Sequence, residues 1–298
     1  MSGGPDNGAY GLYPVQSHNV LVEGCEVSGA IDAGIYAGQS TNIIMRDNVA
    51  YANVSGIELD NTSDSDVYGN EVYDNGQGIL LITFQLLEKK DMVRTRVFDN
   101  IVRDNNHPIP PGISRPIGSG IFIQGADSLD VYDNTIKGNG SSGIAIISNL
   151  VEATGIPLEF RERRGLDPET DPYSESVTIH DNTFESNGQS PVPPYDAVGG
   201  ATLEDILWDG YVDAAKDNSD GSLSLCIQNN GGASFRSITW PHWGCSTELR
   251  SPRPSGSRFP IPSGRRPSRI ERGPTCMPTA LTATMRGPAP PATRRGSA

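Results

Sequence analysis

Long apolar runs are missing from this 298-residue chain: no stretch approaches 18 consecutive apolar residues, so no transmembrane helix is expected. Its start, MSGGPDNGAY, has neither a basic region nor an apolar one, so no signal peptide is visible. Cysteine is scarce, with only Cys25, Cys226, Cys245 and Cys276. No CxxC pair or His/Cys spacing is present and there are only 4 His, which argues against a zinc site. Positive charge is also short, 23 Lys+Arg against 36 Asp+Glu, and a formal charge of −13 disfavours a nucleic-acid partner. Aromatics are only 7% while Gly numbers 34, a balance that suits turn-rich β structure.

What the chain does have is a repeated phrase: RDNVAYAN (46–53), YGNEVYDN (68–75), FDNIVRDN (98–105), YDNTIKGN (132–139) and HDNTFESN (180–187). Each phrase places one Asn five residues before another, and a Gly-Ile pair follows four of the five, at Gly56, Gly78, Gly120 and Gly143. Gly34, Gly56 and Gly78 are 22 residues apart, a solenoid period. Within one period NIIMR, VAY and GIEL read as three short strands separated by bends at Asp47-Asn48 and Asn53–Ser55. Alternating Ile, Val and Leu face inward, and only stacked coils can bury that apolar face. The first Asn of each phrase, Asn48, Asn70, Asn100, Asn134 and Asn182, is predicted to form an internal ladder of side-chain amides. Cys25 falls at the same phase and is expected to pack inside.

On these residues the chain resembles the right-handed parallel β-helix repeat proteins, the pectate-lyase-like superfamily. More narrowly, GLYPVQS (11–17), DAGIYAGQS (32–40), SGIELDN (55–61) and LCIQNNGGASF (225–235) resemble a bacterial group of exported β-helix proteins of unestablished activity. The resemblance covers about residues 8–245. It implies an all-β solenoid of about six or seven coils and an extracellular, periplasmic or cell-envelope location. GLYPVQS matches the third-strand segment, so the chain opens partway through a coil and its N-terminus reads as truncated. In an exported protein Cys226 and Cys245, which bracket the last strand, are candidates for a disulfide closing the helix end.

The domain expected over 1–245 is followed by a Pro/Arg-rich tail, 246–298. The tail holds 10 of the 23 Pro, and its ten basic residues are all Arg. The body therefore keeps 34 acids and 13 bases, a net charge of −21. Three readings stay open for the tail: a basic segment that binds nucleic acid or an anionic surface, an inert disordered segment, or a frameshifted stretch of a GC-rich gene.

Three insertions break the rhythm, at about 83–94, 106–119 and 149–175, and all flank the strand that begins at each Gly-Ile. Loops on both sides of one sheet can wall a groove. In polysaccharide lyases of the resembled superfamily the substrate groove lies on the corresponding sheet. Alternation points Tyr13, Tyr36, Glu58, Leu80, Phe122 and Ala145 outward, with Asp60 and Gln124 further along the same strands. Tyr13, Tyr36, Phe122, Gln124 and, from the 106–119 loop, Arg115 are candidate substrate contacts. Glu58 and Asp60 are the candidate catalytic carboxylates or Ca²⁺ ligands. Two residues along a strand span roughly 6.5 Å, the lower end of the roughly 6.5–9.5 Å between carboxylates in inverting hydrolases. The floor carries no base of its own, so a lyase or epimerase would need a loop cation such as Arg115, Arg161, Arg163, Arg164, Lys89 or Lys90. Alternatively, the insertions fold over the floor and cover Leu80 and Phe122; LLITFQLLEKK suits a short amphipathic cover. Asp47, Asp99, Asp133 and Asp181 lie at another corner and read as solvated turn residues rather than a metal row.

Two functions are compatible with these residues. One is an exported protein that binds or processes a polysaccharide, lyase-, hydrolase- or epimerase-like if catalytic. The other is a non-catalytic envelope scaffold with a protein partner. A monomer is expected, and no cofactor is required beyond optional Ca²⁺. If the tail contributes nothing to the solenoid, deleting 246–298 leaves the melting temperature of the body unchanged. A drop of several degrees would show the tail capping an open β edge.

Overall fold

A computed structural model describes residues 8–238 except 86, 111–116, 150–166, 168, 194, 217–220 and 222–224. The tail and Cys245 lie outside these residues.

Every coil bends at the same chemical signal. Positive φ occurs at Asp47 (54°), Gly69 (66°), Asp99 (53°), Asp133 (53°), Asp181 (55°) and Asn229 (54°), each directly before a ladder Asn. A second corner has the same conformation at Ala52, Asp74, Asp104, Gly138 and Ser186. Left-handed backbone is tolerated by Gly, Asp and Asn, which explains the Asp-Asn and Gly-Asn steps of the repeat.

The bends divide the chain into three parallel sheets. The Gly-Ile sheet has eight strands, in spatial order Tyr10–Leu12, Ala33–Gly38, Ser55–Asp60, Gln77–Ile82, Ser119–Gln124, Ser142–Ile147, Ile206–Trp208 and Phe235–Ser237. The second sheet has seven, from His18–Glu23 through Thr41–Arg46 to Cys226–Gln228, and the third has six, from Glu26–Ser28 to Thr183–Glu185. Neighbouring strands within each sheet come from successive coils, as a single-stranded parallel β-helix requires. Among the described residues the only helix is a 3₁₀ turn, Tyr195–Val198. The interior is filled by one continuous apolar column that includes Ile35, Ile57, Ile79, Ile121, Ile144 and Ile206.

The amide ladder is present. Each rung's backbone N–H and side-chain Nδ2 both donate to the next rung's Oδ1: Asn48 to Asn70 at 3.0 and 3.0 Å, and Asn70 to Asn100, Asn100 to Asn134 and Asn134 to Asn182 at 3.0 and 2.9 Å. Two members extend the expected set: Asn182 donates on to Asn230, and the Cys25 N–H donates to Asn48. The second Asn of each phrase builds a ladder of its own, Asn53–Asn75–Asn105–Asn139–Asn187, beyond the one expected from the sequence. This second ladder explains the Gly-Ile glycine. A Cβ at Gly34, Gly56, Gly78 or Gly120 would lie 2.7–2.9 Å from the Nδ2 of Asn53, Asn75, Asn105 or Asn139, leaving no room for a side chain.

Asn100→Leu is expected to destabilise the protein by about 1–3 kcal/mol, because its neighbours lose buried partners. Gly78→Ala should cost about 1–3 kcal/mol by overpacking against Asn105 and the Gly120 carbonyl. Asp99→Asn, exposed and tolerant of the left-handed bend, should stay within about 0.5 kcal/mol. Denaturant titration of the three variants checks the order; equal small effects would remove the ladder's stabilising role.

Candidate functional site

Register places the predicted floor residues in line on the outer face of the Gly-Ile sheet. Tyr36 pairs with Glu58, Glu58 with Leu80, Leu80 with Phe122 and Phe122 with Ala145. Beside them run Gly38, Asp60, Ile82, Gln124 and Ile147. This row divides into two chemically different halves.

The N-terminal half is aromatic and acidic. Tyr10, Tyr13 and Tyr36 cluster with ring centroids 4.3–4.8 Å apart, and Tyr13 remains 55% exposed. The Tyr10 hydroxyl donates to Asp32 at 2.7 Å, and the Tyr36 hydroxyl hydrogen-bonds Asp60. Burial first, then these carboxylates and Glu58, push both phenols far above their ordinary range, so they stay protonated donors. Glu58 and Asp60 are only 1% and 4% exposed. The predicted carboxylate pair is therefore brought together with Tyr36, but it is buried.

The C-terminal half is a second apolar core rather than an open floor. Leu80, Ile82, Phe122, Ala145, Ile147 and Leu207 pack beneath Tyr195, Leu203 and Ile238. Phe122 is 1% exposed and Gln124 4%, so neither offers a surface to a ligand, in contrast to their expected role as sugar contacts. The principal roof comes from 189–204, a segment outside the three insertions named from the sequence. The Tyr195 hydroxyl lies 2.6 Å from Ser119 Oγ, and the Val192 N–H donates to Ser141 Oγ at 3.2 Å. The Leu203 N–H donates to the Gly188 carbonyl at 2.8 Å. The apolar positions of this roof carry no repeat phase. Only the switch from Tyr36 and Glu58 to Leu80 and Phe122 along the outer row hints at a covered surface.

The insertion at 83–94 forms no helix among its described residues. It runs back over the corner after the Gly-Ile sheet: the Asn61 amide holds the Phe84 backbone, and Gln39 Oε1 accepts from the Glu88 and Lys89 N–H groups at 2.9 and 3.3 Å. Among its described residues Phe84 alone reaches the second core. Among the described loop cations, Lys89 and Lys90 are engaged away from the floor. Lys89 is engaged with Ser63 and Asp91, and Lys90 with Asp167 at 2.7 Å. Arg115, Arg161, Arg163 and Arg164 lie outside the described residues. Cys25 is a free thiol; Cys226 is disulfide-bonded, and its expected partner Cys245 lies outside the described residues.

A separate acidic group has no signature in the sequence. Carboxylate oxygens of Asp127, Asp171 and Glu175 lie within 4.8 Å of one another, close enough to share a cation. The Lys216 ammonium occupies that role, bonded to Asp171 and 3.4 Å from Glu175. Burial raises the Asp127 carboxyl from its ordinary 3.8 to about 7, with Asp171 and Glu175 adding repulsion; the Glu175 N–H and Lys216 act in the opposite sense.

A family model described as a right-handed β-helix region matches residues 5–154. The chain belongs to that family. Among solved structures, this β-helix is similar to the periplasmic alginate epimerase AlgG, with 22% identity and a TM-score of 0.51 over 79% of this chain and 44% of that one. It therefore spans less than half the length of that epimerase. The A-module of the Azotobacter vinelandii mannuronan C-5 epimerase AlgE4 matches with 18% identity and a TM-score of 0.35 over 75% of this chain and 62% of that one. At these identities the likeness is one of fold. A search of curated proteins finds no match.

The acidic group generates a pH prediction. The folded protein holds the Asp127 proton more tightly than the unfolded chain, so the stability this group contributes is full below pH 3.8 and declines as pH rises to about 7. Asp127→Asn keeps an acceptor for the Glu175 N–H. Thermal melts should place it several degrees above the parent at pH 8, with the gap closing toward pH 4; a gap independent of pH would contradict the assignment.

Proposed function

We propose that this β-helix is an exported polysaccharide-binding protein whose ligand contacts the N-terminal end of the Gly-Ile sheet. The observation that carries this reading is the Tyr10–Tyr13–Tyr36 cluster, with Tyr13 exposed and stacked on Tyr36 beside Asp32, Glu58 and Asp60. An aromatic face next to hydrogen-bonding carboxylates matches a sugar ring, which offers C–H groups on one side and hydroxyls at its rim. The fold neighbour adds support for both parts of the reading, since AlgG is a periplasmic enzyme that acts on alginate, a polysaccharide. The body's charge of −21 favours a neutral chain, or an anionic one only with a bound cation such as Ca²⁺.

Glu58 and Asp60 are the carboxylates on which any turnover would rest. Their burial, and the hydrogen bond between Asp60 and Tyr36, suit holding the tyrosines in place more than attacking a glycosidic bond. Binding is accordingly the primary activity in this reading. The competing reading, an envelope scaffold with a protein partner, is favoured by one observation: the roof over Leu80 and Phe122 closes the rest of the sheet.

Titration with a panel of soluble oligosaccharides decides between them. Tyr13→Ala should weaken binding by about tenfold, equivalent to about 1.4 kcal/mol, while leaving the melting temperature unchanged. Phe122→Ala should lower the melting temperature, because it opens a cavity costing about 3–5 kcal/mol in the second core. Equal affinity of Tyr13→Ala and the parent for every oligosaccharide, or no binding at all, would overturn the site and leave the scaffold reading.

A further inference from the structure

A cavity sits away from the tyrosine cluster, at the corner where the third sheet turns into the Gly-Ile sheet. Its volume is about 330 Å³, and its lining includes Asn106, Ile117, Gly140, Gln189, Ser190 and Val192. The walls come from three places in the chain, and each is tied down. Asn106 is locked by both amide atoms: Oδ1 accepts from the Gly140 N–H at 2.5 Å and Nδ2 donates to the Gly138 carbonyl at 2.9 Å. The Ser190 N–H donates to the Gly140 carbonyl at 2.9 Å. Ser141 Oγ bridges the other two walls, donating to the Ile117 carbonyl at 2.9 Å and accepting from the Val192 N–H at 3.2 Å. Gln189 is oriented by its Nε2, which donates to the Asn187 carbonyl at 2.9 Å and leaves the Oε1 to face other partners. The cavity is thus preformed, so a ligand entering it orders little.

The chemistry of the lining selects the ligand. Carboxamides and serine hydroxyls supply donors and acceptors, while Ile117 and Val192 supply an apolar patch. Among the described lining residues none is charged, which gives a phosphate or carboxylate no counter-charge in a body of net charge −21. None is aromatic, so a nucleobase would find no stacking partner. The volume lies at the small end of the range for ligand sites, roughly 300–1,000 Å³. We infer that this corner cavity is a second binding site, for a neutral saccharide unit held by Gln189 and Ser190 through hydroxyls and by Ile117 and Val192 through its C–H face.

The site has a structural consequence. Gln189, Ser190 and Val192 lead directly into the Tyr195–Val198 turn that roofs Phe122. A sugar gripped between them and Asn106 fastens the base of the roof to the coil corner.

The test uses the full chain and three neutral trisaccharides, cellotriose, maltotriose and mannotriose, with trigalacturonate as the anionic counterpart. Binding is followed by calorimetry and by the NMR shifts of the Asn106 and Gln189 side-chain amides. At least one neutral trisaccharide should bind and move both signals, and trigalacturonate should move neither. Ser190→Phe, which fills the cavity from an exposed position, should weaken that binding at least tenfold. Gln189→Ala should weaken it severalfold and serves as the deciding variant if Ser190→Phe alters the melting temperature. Tyr13→Ala should leave these two amide shifts intact, so failure of the tyrosine site and failure of this one are read separately. The inference is overturned if no neutral trisaccharide shifts the two amides. It is overturned equally if trigalacturonate shifts them as strongly, or if neither cavity variant changes affinity by more than twofold.

Discussion

The buried asparagine amide governs this structure. A carboxamide removed from water needs partners for two N–H groups and an oxygen, and an unpartnered one costs about 1–3 kcal/mol. Here each ladder amide finds them in its stacked neighbours. Asn100 Nδ2 donates both to Asn134 Oδ1 and to the Val67 carbonyl, while its own Oδ1 accepts from the N–H and Nδ2 of Asn70. Satisfaction is possible only when coils repeat in register, so the ladder selects a single stacking offset. The same demand reaches outward: the residue before each Asn must adopt a left-handed bend, and the residue facing the second ladder must lack a Cβ. Asp104, which bends before Asn105, and Gly78, which faces its amide, are two ends of one constraint.

That constraint frees the rest of each coil. Insertions can enter at corners without disturbing the stack, because the rungs on either side still meet. Asn70 and Asn100 are 30 positions apart, and Asn134 and Asn182 are 48 apart, yet the rung distances stay at 2.9–3.0 Å. The inserted segments then decide what becomes of the outer surface. A further non-repeating segment, 189–204, lays Tyr195 and Leu203 over the C-terminal half of the Gly-Ile sheet and turns it into a second core. The N-terminal half keeps its tyrosines, and the difference between a covered and an aromatic half is what localises the proposed sugar contact.

Charge follows the same repetitive logic. Arg94 pairs with Asp64, Arg96 with Asp66 and Arg103 with Glu71, each joining one coil to the next. Exposed pairs of this kind contribute little individually, about 0–1 kcal/mol. Beside them Tyr68, Phe98, Tyr132 and His180 stack with centroids 4.7–5.0 Å apart, matching the coil spacing. Their faces are taken up by one another, which makes this row a structural stack and distinguishes it from the cluster where Tyr13 keeps more than half its surface in solvent.

Much of what recurs at the coil period was legible in the sequence: the three strands per coil, the inward Ile and Leu, the ladder of first asparagines, and the shared outward phase of Tyr36, Glu58 and Phe122. Periodicity exposes these because each repeat solves the same packing and hydrogen-bonding problem with the same residue. The second ladder was equally encoded, in the Asn-to-Gly spacing of Asn53–Gly56 and Asn75–Gly78, but its meaning depends on a Cβ clash visible only in three dimensions. The roof of Tyr195 and Leu203, the return of 83–94 to Gln39, and the meeting of Asp127 with Asp171, Glu175 and Lys216 were not legible. Those contacts join non-repeating segments, and nothing in a single copy of such a segment states where its apolar or charged groups will land. Sequence alone therefore determined the solenoid and its axis of repetition. Only the tertiary structure decided which part of the sheet is roofed by Tyr195 and Leu203 and which is lined by tyrosines, because covering a surface depends on where a loop closes and not on the period that built the surface.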